Sequence, residues 1–452
     1  MIGFGPRVRI DDPKSFQKLK TVLERRVVEA IDLSRVPAMA EGALREQVKA
    51  LATHVCASES VGLPDELREP MVREILDEIY GYGPLAGLMN DPSVSDILVN
   101  GPDDVSVERD GVLEETDVRF ADEAHLLQLI ERLVRRAGRR INERSPVVEA
   151  RLPDGSLLNA IIMPLAFRGP MLSLRPSGAK SLRLEDLLRR GTLAPEMAEF
   201  LTAAVGGRLS LLISGGAGAG KTTLLGSLAR LIPERERIVT IEETAELNLE
   251  RSGVVSLETR PAGANSGNGA TSRVPVTLRE ILRSGLRMQP DRLIIGEARG
   301  SEVVDLLHAM STGHAGSMIT VNAIGTRDAL ERIELMTVGT GFQPLLTGLQ
   351  HQIAAAFQIL VHVNRLPTGE RKVVRIAELC GYFDGSYVLE DIFVYRAAGT
   401  DDAGHALGTF YATGYEPVCV PQLASLGHAF DGELFAPREL SAAGPTRVPV
   451  HN

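Results

Sequence analysis

The chain has 452 residues, a formal net charge of -10 at pH 7, 44% hydrophobic residues and 24% charged residues. This length predicts two or three domains, and the balance is that of a globular protein. The acidic average disfavours a nucleic-acid binder, because such proteins present basic surfaces to phosphates. Cys56, Cys380 and Cys419 form no CxxC pair, which predicts reduced thiols rather than a disulfide framework or a zinc site.

Membrane and export signals are weak in this sequence. No apolar run approaches the roughly 18–20 residues that a membrane-spanning helix needs, and the runs at 158–167 and 353–363 contain polar residues. Arg7 and Arg9 are not followed by the apolar segment of a secretory signal. We therefore expect a cytoplasmic protein.

Residues 1–80 predict a helical N-terminal region. Apolar residues recur at spacings of three and four over 44–55 and again over 67–79, as they do on one face of an amphipathic helix. The segment GYGP at 81–84 predicts the end of these helices, because Gly and Pro interrupt the helical hydrogen bonds.

Residues 81–178 predict a small α/β domain. Strands are predicted over 94–100, 105–109, 147–152, 157–163 and 171–175, with Asp-Gly turns at 110–111 and 154–155. Asp122 is the expected N-cap of a helix. The apolar face of that helix is formed by Leu126, Leu127, Ile130, Leu133 and Val134. A linker is predicted at 175–180.

Residues 179–452 predict a second domain, with a C-terminal extension, in which strands alternate with helices. Strands are expected over 209–214, 238–242, 293–296 and 317–321, with helices from Lys221 and from Ser301. Such alternation is typical of a doubly wound parallel sheet. The segment 261–272, rich in Gly, Ala, Asn and Ser, predicts a surface loop.

The segment GGAGAGKT at 215–222 matches the phosphate-binding pattern GxxxxGK[ST] in full. Glycines let successive N–H groups point at phosphate oxygens, next to the positive end of the following helix. Lys221 is expected on the β- and γ-phosphates and the Thr222 hydroxyl on Mg²⁺. The alternative is a simple glycine-rich turn. The predicted ATP-binding residues are Gly215, Gly216, Ala217, Gly218, Ala219, Gly220, Lys221, Thr222 and Thr223.

Acidic residues follow two of the apolar strands. Glu297 ends the segment DRLIIGE at 291–297, where a carboxylate can bind Mg²⁺ or polarise the attacking water. Glu242 and Glu243 lie at the end of the strand at 238–242 and are further catalytic candidates. A helix cap is the alternative for Glu297, and a charged loop is the alternative for the other pair.

His314 lies between glycines in STGHAGS at 311–317 and is a further candidate, although a lone histidine is more often structural. Arginines suit phosphate binding because their donors form a planar fork. Surface ion pairs are the alternative for most of them. The arginines considered are Arg151, Arg175, Arg260, Arg283 and Arg287, of which Arg151 and Arg175 are preferred.

Taken in order, these segments resemble the secretion ATPases of the type II/type IV secretion and type IV pilus superfamily. Within it they resemble the CpaF/TadA branch, which drives tight-adherence (Flp-type) pilus assembly. The segments are GYGPL (81–85), SDILVNGP (95–102), DVRF (117–120), RLPDG (151–155), ISGG (213–216), GKTTLL (220–225), RIVTIE (237–242), LETRP (257–261), GEARG (296–300) and TGH (312–314).

The resemblance implies an N-terminal α/β domain linked to a RecA-like P-loop NTPase core, assembled as a homohexamer with ATP between the two domains. It implies work on an inner-membrane platform, with the enzyme attached peripherally to the membrane. It makes Glu297 the Walker B glutamate, His314 the His-box histidine and Glu242 or Glu243 the Asp-box acid. The zinc-binding cysteines of related pilus-extension enzymes are absent, which favours the CpaF/TadA branch without zinc.

Four departures from the family pattern stand out. Asn322 replaces the second His-box histidine, and an amide cannot shuttle a proton at neutral pH. The Asp-box reads Glu242-Glu243 rather than Glu-Asp. The loop between Arg260 and Thr277 is enlarged, and Gln289 stands where an arginine is common.

Three functions remain open from the sequence. The leading hypothesis is an ATP-hydrolysing hexameric motor for pilus assembly or secretion. A nucleic-acid translocase would need a basic or aromatic groove, which is hard to build with no Trp and 4% aromatic residues. An ATP-binding scaffold with little turnover is the third, suggested by Asn322.

Overall fold

The computed structural model describes residues 23, 26–27, 41–57, 63–109, 112–176, 182–249, 251–260, 275–338, 346–401 and 406–441. The chain forms two compact units: Met1–Arg109 with Leu113–Ala179, and Lys180–Asn452 with Asp110–Val112. The predicted turn at 110–111, the predicted loop at 261–272 and most of the predicted linker lie outside the described residues. The existence of a separate domain over 1–80 stays a prediction.

The first unit begins with helices whose boundaries follow the apolar spacing. They are α1 (Glu41–Ala57), α2 (Asp65–Tyr80) and, after a short 3-10 turn, α3 (Ala86–Met89). Val48 of α1 packs in one apolar cluster with Met71 and Ile75 of α2. Both predicted helices are therefore confirmed, and α2 ends at the predicted glycine, Gly81.

The rest of the first unit is a six-stranded sheet covered by one helix. Its elements are β1 (Val94–Gly101), β2 (Asp104–Arg109), β3 (Val112–Glu115), α4 (Glu123–Arg136), β4 (Val147–Arg151), β5 (Leu157–Ile161) and β6 (Met171–Arg175). The strand order is β3-β2-β1-β6-β5-β4. Asp122 accepts a hydrogen bond from the His125 N–H at 2.8 Å, as a helix cap does. This confirms the predicted cap of α4.

The second unit alternates strands and helices over most of its length. Its elements are α5 (Leu184–Arg189), α6 (Pro195–Gly206), β7 (Leu211–Gly215), α7 (Lys221–Ala229), β8 (Ile238–Glu242), β9 (Val254–Glu258), α8 (Leu278–Leu286), β10 (Arg292–Ala298), α9 (Glu302–Thr312), β11 (Met318–Asn322), α10 (Thr326–Val338), α11 (Leu346–Ala356), β12 (Ile359–Arg365), β13 (Arg371–Phe383), β14 (Ser386–Thr400), β15 (Ala406–Ala412), α12 (Val420–Ser425) and β16 (Arg438–Leu440).

One ten-stranded sheet joins these strands in the order β16-β15-β14-β13-β12-β7-β11-β10-β8-β9. All neighbours from β12 to β9 run parallel, which confirms the predicted parallel core. From β12 to β16 the neighbours run antiparallel. A C-terminal extension was predicted from the sequence, but its antiparallel strands were not. The parallel arrangement brings the carboxyl ends of β7, β8, β10 and β11 together, and we call this side the carboxyl edge and the opposite side the amino edge.

The inner parallel strands β7, β8, β10 and β11 are buried on both faces, which explains their continuous apolar runs. In β7, Leu211 and Ile213 pack in the cluster under α6 and α7, whereas Leu212 packs in the cluster under α9 and α11. A rigid sheet therefore carries whatever follows its strands at the carboxyl edge. Within the described part of the chain, none of the helices combines the length and apolar character that crossing a membrane would need.

Candidate active site

The loop between β7 and α7 owes its shape to its glycines. Gly218 and Gly220 have φ values of 69° and 95°. Residues that carry a Cβ atom disfavour this region of backbone conformation, whereas glycine adopts it readily. A Cβ on Gly215 would lie 2.4 Å from the carbonyl oxygen of Val363. The loop therefore places the N-terminus of α7, the positive end of the helix dipole, at the carboxyl edge.

Lys221, the first residue of α7, is buried with 7% of its surface exposed. Its Nζ donates hydrogen bonds to the carbonyl oxygen of Gly216 at 2.9 Å and to Oδ1 of Asn322 at 2.6 Å. Burial lowers the pKa of Lys221, and the negative charge of Glu297 acts in the opposite direction. The ammonium is thus held inside the loop by two neutral oxygens, which phosphate oxygens can replace.

Glu297 lies where the pairing of β10 with β11 shifts register, between Ile295 and Ala298. Such irregularities re-aim side chains and occur often beside active sites. Oε1 of Glu297 accepts hydrogen bonds from Asn322 Nδ2 at 2.5 Å and from Arg299 Nε at 2.7 Å. Its Oε2 makes no hydrogen bond to any described residue. One oxygen of the carboxylate is therefore anchored, and the other is available to a ligand.

Asn322 connects the two charged groups, and the register of the sheet puts it there. Asn322 is the last residue of β11 and pairs with Gly215 of β7. The carbonyl oxygen of Gly215 accepts a hydrogen bond from the N–H of Ala323 at 3.2 Å. The side-chain amide of Asn322 reaches both Lys221 and Glu297. Sequence reasoning identified Asn322 as a departure but did not predict these contacts.

Glu242 and Glu243 face different surroundings. Glu242 has 2% of its surface exposed and accepts the backbone N–H groups of Glu246 at 3.0 Å and Leu247 at 3.1 Å. A Cβ atom at position 296 would lie 2.8 Å from Cγ of Glu242, so position 296 of β10 requires glycine. Glu242 thus holds the turn that follows β8, and its catalytic role stays a prediction.

Glu243 is half-exposed, and its carboxylate lies 2.5 Å from Nη1 of Arg299. Because Arg299 also contacts Glu297, it links these two acids. The structure therefore brings Glu243, rather than Glu242, into the polar cluster around Lys221. Arg299 itself was not among the predicted site residues.

His314 is not brought to this cluster. It precedes β11 and lies at the amino edge, with the whole strand between it and Asn322. Its Nδ1 lies 3.2 Å from the carbonyl oxygen of Ala309, and its own carbonyl accepts the Ser317 hydroxyl at 2.7 Å. These contacts close the end of α9. Within this chain His314 therefore lies apart from Lys221 and Glu297, and its catalytic role stays a prediction.

The predicted arginines fall in several places. Arg151 and Arg175 belong to the first unit, where Arg175 Nε pairs with Asp96 at 3.0 Å. Arg283 of α8 pairs with Asp305 of α9 at 3.1 Å in the second unit. Their assignment to phosphate stays a prediction. An arginine that was not predicted, Arg371 of β13, donates from Nε to the carbonyl of Gly218 at 3.0 Å and so supports the loop.

The residues present fit a magnesium ion. Mg²⁺ takes oxygen ligands and usually keeps waters and substrate phosphates among them. Thr222, in the first turn of α7, offers a hydroxyl, and Glu297 offers its unbonded Oε2. Among the described residues no group of three or more His, Cys, Asp or Glu side chains could hold a metal ion alone. An ion here would therefore depend on phosphate oxygens as well.

The strand order and the loop together define a RecA-like P-loop NTPase fold, preceded by an α/β domain. The family model "Type II/IV secretion system protein" matches residues 78–408. The chain therefore belongs to the type II/IV secretion system protein family.

The chain is also similar to individual known proteins. A protein of Mycobacterium tuberculosis (strain ATCC 25618 / H37Rv), named for conjugal transfer, is 37% identical over 314 residues, covering 68% of this chain and 87% of that protein. The type IV secretion system protein VirB11 of Brucella suis is 29% identical over 328 residues, covering 67% and 89%. The ATPase DotB of Legionella pneumophila matches in structure with 17% identity and a TM-score of 0.45, covering 79% and 86%.

Proposed function

We propose that this chain hydrolyses ATP and works as a homohexameric motor for pilus assembly or a related secretion process. The observation that carries the proposal is the cluster of Lys221, Asn322 and Glu297 at the carboxyl edge, directly behind a complete phosphate-binding loop. Family membership supports it. The site of action would be the cytoplasmic face of the inner membrane, on platform proteins of the machine.

The chemistry follows from what each group can do. The N–H groups of the loop and the ammonium of Lys221 bind the phosphates, as helix N-termini and lysines do in P-loop proteins. Thr222 and Glu297 would hold Mg²⁺, which when bound would supply positive charge against the phosphates. Glu297 has a free carboxylate oxygen that can accept a hydrogen bond from the attacking water and polarise it. Arg371 keeps the loop in shape through its contact with Gly218.

Within the family, we propose the CpaF/TadA branch and tight-adherence pilus assembly, on the motif string described above. The names of two relatives, a conjugal transfer protein and a type IV secretion protein, support a second candidate, a motor of conjugal transfer or protein secretion. Deletion of the gene separates the two. Loss of surface pili with intact transfer of DNA and protein supports the first candidate, and the reverse supports the second.

The hydrolytic function is tested by steady-state phosphate release with ATP and Mg²⁺. Replacing Lys221 by Ala removes the cation at the phosphates and is expected to lower the rate by about 100-fold or more. Lys49→Ala, at an exposed position of α1, is the matched control and is expected to keep the wild-type rate. Equal rates for the wild type and both variants would refute the site.

A further inference from the structure

We propose that Asn322 is a positioning residue for hydrolysis: its amide holds the carboxylate of Glu297 in place while it lends a replaceable acceptor to Lys221. The inference rests on the proposed function and adds to it a residue that orients the catalytic acid. It starts from two hydrogen bonds made by one side chain, 2.6 Å to the ammonium and 2.5 Å to the carboxylate.

The chemistry of the two partners fixes the orientation of the amide. An ammonium group can donate hydrogen bonds only, and a carboxylate can accept them only. Oδ1 must therefore face Lys221 and Nδ2 must face Glu297, since a flipped amide would place donor against donor and acceptor against acceptor. Each partner carries a charge, which makes both hydrogen bonds stronger than neutral ones.

Backbone pairing on both sides of β11 fixes the position of Asn322. Val321 pairs with Ala298 of β10, and Asn322 pairs with Gly215 of β7. The residue thus stands between the strand that ends in the phosphate loop and the strand that carries Glu297. A side chain in this position can set the spacing of Lys221 and Glu297 without contacting the substrate.

The two partners depend on Asn322 to different degrees. Lys221 has a second acceptor in Gly216, and bound phosphates would supply others, so phosphate binding does not need the amide. Glu297 Oε1 is held by two donors, one from Asn322 and one from the half-exposed Arg299. Loss of Asn322 therefore leaves the carboxylate with one anchor, the half-exposed Arg299. Turnover should suffer more than nucleotide affinity.

The test measures kcat and, separately, the affinity for a non-hydrolysable ATP analogue. Asn322→Asp is isosteric but replaces the donor by a negative charge next to Glu297, and Asn322→Leu removes both hydrogen bonds. Both are expected to lower kcat about 10- to 100-fold. The analogue is expected to bind each variant within about threefold of the wild type, because the loop N–H groups remain. The matched control is Asn159→Asp, at an exposed position of β5.

Rescue by a conservative variant provides the second arm. At pH 8 the imidazole in Asn322→His is neutral and offers one donor and one acceptor, as the amide does. It is expected to keep kcat within about threefold of the wild type, which a leucine of similar bulk does not achieve. This difference would not arise if position 322 only filled space.

Three results would overturn the inference. Wild-type kcat in both Asn322→Asp and Asn322→Leu would show that Glu297 needs no such anchor. Equal losses of kcat and of affinity would point to damaged folding or binding instead of positioning. A wild-type chain that binds the analogue but releases no phosphate would contradict the proposed function, and this case is recognised because the Asn159→Asp control is then inactive as well.

Discussion

The two edges of the parallel sheet both carry charged clusters, but the clusters are built differently. At the amino edge, Arg292 is fully buried and donates to Glu236 at 2.7 Å and to the carbonyls of Val205 and Gly316. At the carboxyl edge, Lys221 donates to two neutral oxygens, and Glu297 keeps one oxygen without a partner among the described residues.

We interpret the amino-edge cluster as one that stabilises the fold and the carboxyl-edge cluster as one that binds a ligand. The guanidinium at the amino edge has permanent partners of opposite charge or fixed carbonyls, and a ligand would have to break them. The groups at the carboxyl edge have partners that phosphates, water or a cation can replace at little cost. Buried ion pairs that are fully satisfied cost much to open, and open polar clusters are where binding occurs.

The largest stability effect is expected at the amino edge. Arg292→Met removes the buried charge that faces Glu236 and leaves only the partly exposed Arg208 beside this carboxylate, which should lower the free energy of unfolding by about 3 kcal/mol. ATP turnover per folded molecule should stay the same. Denaturant titration and a phosphate-release assay measure the two quantities.

Arg208→Met is the matched control for Arg292→Met. Arg208 also contacts Glu236, at 2.7 Å, but its side chain is 44% exposed, so a loss of about 1 kcal/mol or less is expected. Equal losses in the two variants would contradict the contrast between a closed and an open cluster.

An intermediate effect on the free energy of unfolding is expected at two separate buried threonines, Thr320 and Thr240. The Thr320 hydroxyl donates to the carbonyl of Gly296 at 2.5 Å and so supports the irregular segment that carries Glu297. Thr320→Val should cost about 0.5–1.5 kcal/mol and should also reduce turnover. Thr240 is equally buried, and its hydroxyl has no hydrogen-bond partner among the described residues. Thr240→Val should therefore be neutral or stabilising, and a reversed order of the two would sink this interpretation.

The smallest effect concerns pH. His362 of β12 lies 2.9 Å from the Ser214 hydroxyl, and burial, followed by the charge of Arg375, lowers its pKa below the ordinary 6.5. The unfolded chain therefore binds a proton more readily than the folded site as the pH falls below 6.5, and stability decreases. Well above pH 6.5 the imidazole is neutral in both states, so this loss of stability is absent.

Denaturant titrations at pH 7.5 and 5.5 measure this dependence. The wild type is expected to lose more stability between the two values than His362→Asn, which has no group to protonate at this position. An identical loss in the two proteins would assign the pH dependence to other residues.

The phosphate loop could be predicted from the sequence because its pattern specifies backbone conformation directly. Gly218 and Gly220 supply the positive φ values that the turn needs. The apolar run of β7 has the length of a buried strand and is too short for a buried helix. Parallel pairing then follows from the alternation of strands and helices, and this brings Glu297 to the same edge as Lys221.

Side-chain partners could not be predicted, because they depend on the register between distant strands. Glu242 and Glu243 are adjacent in sequence, yet one is buried under a turn and the other pairs with Arg299. Arg292 looks like a polar residue before an apolar strand, and its burial emerges only when Glu236 and Gly316 converge on it. Asn322 gains its meaning from the pairing of β11 with β7.

The most direct test of the carboxyl-edge site is a comparison of ATP binding and phosphate release in Glu297→Gln. The amide retains the shape of the carboxylate but polarises water poorly, so we expect ATP to bind with near wild-type affinity while phosphate release falls by about 100-fold or more. Release at the wild-type rate with normal binding would show that hydrolysis does not depend on Glu297 and would contradict the account.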